Sequence, residues 1–120
     1  MKSLLIITAA LEATTGVALL ASPSLPASIL LGAPLDTLAG SVLGRVAGAA
    51  LLALGLACWR ARNDEYSRAA AGIITAMLLY NVAVAGLLVH ARFGAGLAGI
   101  ALWPAVVLHT ALAVWCAFTL

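Results

Sequence analysis

Four apolar runs, Leu4 to Ala21, Leu38 to Trp59, Ala69 to Val89 and Leu97 to Leu120, take up most of this 120-residue chain. Each is close to the roughly 20 residues a helix needs to cross the hydrocarbon of a bilayer. In lipid the backbone must satisfy its own hydrogen bonds within a segment or a closed barrel. The runs therefore predict an all-α membrane protein: an antiparallel bundle of four transmembrane helices, forming one domain over residues 1–120. Composition agrees, because 65% hydrophobic and 8% charged residues cannot cover a water-facing surface with polar groups. A net charge of +2 is too small and scattered for a nucleic-acid footprint. The first run resembles a signal-peptide core behind Lys2. Glu12 interrupts it and Leu19 before Ala21 makes a poor cleavage site, so the segment is expected to be retained.

The connection from Arg60 to Arg68 carries Arg60, Arg62, Asn63, Asp64, Glu65 and Arg68, most of the charge outside the spans. With Lys2 it outweighs Arg92 in the third connection, which by the positive-inside rule places both termini in the cytoplasm. The first connection, Ser22 to Asp36, is broken by Pro23, Pro26 and Pro34 yet holds Ile29, Leu30 and Leu31. It is expected to form a short interfacial helical segment between the first two spans, capped by Ser24 and stopped by Gly32, covering one end of the bundle.

Gly40, Gly44 and Gly48 recur every four residues in the second span and make a flat stripe on which another helix can approach closely. The neighbour is either an internal helix or another subunit, in a homo-oligomer or a larger membrane complex.

Polar residues at membrane depth are costly and mark function or pairing. Counting inward from the ends of the runs, Glu12 lies about 14 Å and Arg45 about 10 Å deep, so a neutralised Glu12–Arg45 pair is expected. Asn81, at about 12 Å, and Tyr80 beside it are placed to join that pair; His109, about 18 Å down the fourth span, is placed to reach it through a water. The cluster Glu12, Arg45, Asn81, His109 and Tyr80 reads either as a structural register device or as a site for a proton or a ligand. No catalytic residue or metal site emerges. Ser41 and Thr110 are single helical hydroxyls, expected to bond the preceding turn. Cys58 and Cys116 lie in apolar runs without metal-type spacing. Any cofactor is unknown; an intrinsic haem is disfavoured, because His90 and His109 differ in depth by about 18 Å. Trp59, Trp103 and Trp115 near span ends suit interfacial anchoring.

The early acid in Ala9-Ala10-Leu11-Glu12-Ala13 resembles the small multidrug-resistance transporters, but a neutralising Arg45 and the lack of a mid-membrane aromatic set argue against drug–proton exchange. The whole layout also looks like the DoxX-like bacterial membrane proteins: four helices, an early acid, a Pro-broken first connection ending in Leu30-Leu31-Gly32, and an Arg in the second helix. That resemblance implies an architecture and a bacterial inner (plasma) membrane, and carries no catalytic residue across. Three functions follow, in descending order of support from the sequence. The first is a non-catalytic subunit or scaffold of a membrane assembly. The second is a carrier or binder of a small lipophilic or anionic ligand at a midplane site. The third is an accessory of a membrane oxidoreductase.

Overall fold

The computed structural model describes residues 1–64 and 67–120, so the expectation for Glu65 lies outside the described residues. Those residues form five helices: α1 (Lys2–Ala21), α2 (Ser24–Leu31), α3 (Leu38–Ala61), α4 (Arg68–Gly94) and α5 (Leu102–Thr119). The four-span architecture expected from the sequence is present. α1, α3, α4 and α5 are each long and apolar enough to cross a membrane. The longest dimension, 43 Å, matches a bilayer including its headgroups.

The helices associate as two close pairs, α1 with α3 and α4 with α5, and contact between the pairs is thinner. Glycine makes the first pair possible. A β-carbon on Gly48 would stand 2.8 Å from the Gly16 carbonyl oxygen, and one on Gly16 would stand 2.7 Å from the Leu52 nitrogen. One on Gly55 would stand 2.9 Å from the Ala13 nitrogen. Residue numbers rise along α1 as they fall along α3, so the pair is antiparallel and in backbone contact over three turns or so. This close packing is what small residues provide in lipid, where helices gain nothing from hydrophobic burial against one another. The stripe read from the sequence is thus spent inside the chain: Gly48 faces α1, Gly44 faces Pro23 and Leu35 of the first connection, and Gly40 meets the capping Thr37 hydroxyl and the Leu35 side chain.

The apolar core sits toward the end where α1 begins and α3 ends. Leu4, Leu5, Cys58, Ala70, Ile74, Leu112 and Cys116 are buried there, the two cysteines as free thiols. The opposite end is closed by α2. Its helix starts one residue earlier than a Ser24 cap requires. Pro23 is the N-cap, a position needing no amide hydrogen, and the freed Ser24 hydroxyl donates to the Leu35 carbonyl at 2.7 Å. Gly32 ends α2 as expected, in the left-handed conformation (φ 73°). The last carbonyls of α2 then accept amides from the far connection: Ala98 N–H donates to Leu31 and Ala101 N–H to Ile29. Gly99 lies against the Leu30 backbone and leaves no room for a side chain.

That latch changes the limits of the last two spans. α4 runs on past Val89 to Gly94, and the chain turns back through Gly96 (φ 68°). α5 begins at Leu102, because the apolar residues 97–101 are used to cap α2. Gly99→Val is expected to lift α2 off the bundle. Hydrogen exchange at the Ala98 and Ala101 amides should rise by an order of magnitude or more while amides in α3 stay protected; unchanged protection would show that the latch holds nothing.

Candidate functional site: a carboxyl, a phenol and an imidazole between the helix pairs

Thr8, Glu12 and Thr15 fall at i, i+4 and i+7 on α1, one face of the helix. That face meets α4 and α5 where the two pairs adjoin. Glu12 is buried, with 4% of its surface exposed, and the Tyr80 hydroxyl of α4 is its polar neighbour. Beside them lies a cavity of about 70 Å³ lined by Glu12, Thr15, Tyr80 and His109, with Leu11, Leu108 and Leu112 as apolar walls. It has room for a water or two, or for the head of a larger molecule reaching in from lipid.

Asn81 is wholly buried and fixes the imidazole. Its amide Nδ2 donates to the Met77 carbonyl at 2.7 Å, which orients the amide oxygen toward α5. That oxygen lies 2.7 Å from His109 Nδ1. An amide oxygen only accepts, so Nδ1 carries the hydrogen, and in the neutral ring Nε2 keeps its lone pair. The Tyr80 ring stands edge-on to the imidazole at 5.7 Å between centroids. The site therefore offers the Glu12 oxygens and His109 Nε2 as acceptors, with the Tyr80 hydroxyl able to give or accept.

Four of the five residues singled out in the sequence meet here. Arg45 does not. It lies on the exposed face of α3 and its guanidinium donates to the Leu20 carbonyl, near the end of α1. This corrects the expected Glu12–Arg45 pair: depth along the normal brings the two to similar heights, but Arg45 lies off the line of Gly44 and Gly48 that faces inward. The long side chain runs outward to the negative end of the α1 dipole and fills one of its orphan carbonyls. His109 also differs, bonding Asn81 directly with no water between, because α5 starts later than hydropathy suggests. Thr110 bonds the Val106 carbonyl as expected.

Sequence reasoning passed over Thr8 and Thr15, although their spacing from Glu12 was a readable signal. The Thr8 hydroxyl is buried and has no hydrogen-bond partner among the described residues. Two glycines, Gly16 and Gly55, were missed for lack of a repeat to draw attention to them.

The geometry makes the effects of Arg45 and Glu12 separable. Arg45→Gln is expected to cost about 1 kcal/mol of stability through the lost carbonyl contact. In a double-mutant cycle with Glu12→Gln the effects should add within about 0.5 kcal/mol. A coupling well above about 1 kcal/mol in detergent unfolding would restore the ion pair.

The chain matches no known family, no curated protein and no solved structure.

Proposed function

We propose that this small multi-pass membrane protein binds a lipophilic molecule through a hydrogen-donating head, an alcohol or a primary amine, held by Glu12, Tyr80 and His109. The observation that carries this reading is a buried carboxyl that borders a cavity and has Tyr80, rather than Arg45, beside it. A buried carboxyl without a basic partner is a cost to the fold that structural register alone does not require. The Nε2 acceptor that Asn81 selects on His109 matches a donor head, and the site lies between two helix pairs whose mutual contact is thin. The objection that Arg45 neutralises the acid falls away with the pair.

The subunit or scaffold reading ranks second. The glycines that favoured it are occupied within the chain, and what remains for it is the apolar exterior common to any membrane helix. The oxidoreductase accessory ranks third. The DoxX-like layout stays part of the proposal at the level of architecture. So does an inner-membrane location, which follows that layout, with the Lys2 and Arg60 end set toward the cytoplasm by the charge bias.

The test uses the purified chain in nanodiscs and three probes of matched chain length: a long-chain primary alcohol, the primary amine and the methyl ether. Calorimetry should show saturable binding of the alcohol and amine, at least about 10-fold tighter than the ether, which cannot donate. Equal affinity for all three would sink the proposal.

A further inference from the structure

A second feature lies on the outside of the α1/α3 pair. Where Gly55 lets the two helices touch, Ala9 and Gly55 form the floor of a wholly apolar groove of about 310 Å³. Ile6 of α1 and Leu56 and Trp59 of α3 stand around it. On α1 the groove runs from Ile6 to Ala13, seven residues or about 10 Å at 1.5 Å per residue. It starts about 6 Å in from Lys2 and ends near the bilayer midplane, so it spans the depth of one leaflet, whose hydrocarbon is about 15 Å deep.

The mouth at the membrane surface is basic. Lys2 falls four residues before Ile6 and shares its face of α1. Arg60 follows Trp59, and the Arg62 guanidinium stacks on the Trp59 ring at 3.9 Å. Arg68 opens α4 at the same end. The sequence sets two acids, Asp64 and Glu65, against these four cations, and the Asp64 carboxylate accepts from the Ser67 hydroxyl at 2.7 Å. A lipid brings an acyl chain to the floor and a phosphate to the cations in one molecule, and basic residues near the surface draw anionic headgroups in preference to zwitterionic ones.

We infer that the α1/α3 groove is a binding site for one acyl chain of an anionic phospholipid, with its headgroup held by Lys2, Arg60 and Arg62. This site stands apart from the polar cavity and does not depend on the alcohol or amine reading. It is tested by native mass spectrometry of the full chain, with dioleoyl phosphatidylglycerol and dioleoyl phosphatidylcholine added separately. One phosphatidylglycerol per chain is expected, bound at least about 10-fold more tightly than phosphatidylcholine. The triple variant K2Q/R60Q/R62Q should abolish that preference while keeping residual binding of both lipids. Ala10→Trp, at an exposed lining position, should fill the groove and weaken both lipids about 10-fold or more. Gly86→Ala, on an open face of α4, controls for nonspecific loss and should change neither. Equal affinity for the two lipids, unchanged binding in Ala10→Trp, or a dimer that Ala10→Trp dissolves would each overturn the assignment.

Discussion

Glu12→Leu is expected to do two opposite things: abolish binding of the long-chain alcohol and amine, and make the protein more stable. The binding loss should be at least about 10-fold, because the carboxyl is one of the polar groups that hold the head in the cavity and a leucine there leaves a donor head unpaired. The stability gain should be on the order of 1 kcal/mol, since burying a polar group among Leu11, Leu108 and Leu112 carries a desolvation cost that leucine avoids. Calorimetry reads the first and thermal unfolding in detergent the second. Were Glu12 a structural register device, both quantities would move together: the variant would unfold more easily and any binding would fail with it. Asn81→Leu is the counterpart. It removes a side chain bonded on both sides, to Met77 and His109, and should destabilise.

Gly48→Val is expected to produce a large loss of stability, comparable to that of a substitution at Gly16, which it faces. Its β-carbon would lie 2.8 Å from the Gly16 carbonyl oxygen and 2.9 Å from the Leu20 nitrogen, and backbone on a packed helix cannot swing aside as a side chain tip can. Overpacking of this kind costs about 3 kcal/mol, and the branched valine adds to it. The helices must move apart, and with them the dispersion contacts that hold α1 to α3. Among the described residues a β-carbon at Gly72 or Gly86 meets nothing within 4 Å, so Gly72→Ala and Gly86→Ala should be neutral or slightly stabilising, by up to about 1 kcal/mol through helix propensity. Unfolding midpoints for the three variants check the contrast. A Gly48→Val protein as stable as Gly86→Ala would mean that α1 and α3 are not in backbone contact.

The spans were legible because lipid imposes a length and a composition that no other solvent demands. Glu12, Tyr80, Asn81 and His109 were legible because polar groups in such spans are few. What escaped was azimuth and the exact starts of helices. Glu12 and Arg45 lie at similar depth, and depth says nothing about which way each points around its helix. The direction was nonetheless recoverable: Gly44 and Gly48 define the inward side of α3, and Arg45 follows Gly44 by one residue, about 100° around the axis. The start of α5 was hidden for a different reason. Residues 97–101 are as apolar as a helix, and only the tertiary bonds to α2 assign them to a cap.

Those two bonds join Ile29 and Leu31 to residues far later in the chain, Ala101 and Ala98. During synthesis the first helix pair and α2 leave the ribosome well before either partner exists. Tyr80 arrives with α4, and His109 only with α5. Until residues 97–101 have emerged, two carbonyls of α2 lack their amides, and until α5 follows, Glu12 has no imidazole beside it. A copy cut off after α4 therefore leaves the Glu12 carboxyl with the Tyr80 hydroxyl alone and two α2 carbonyls without their amide donors.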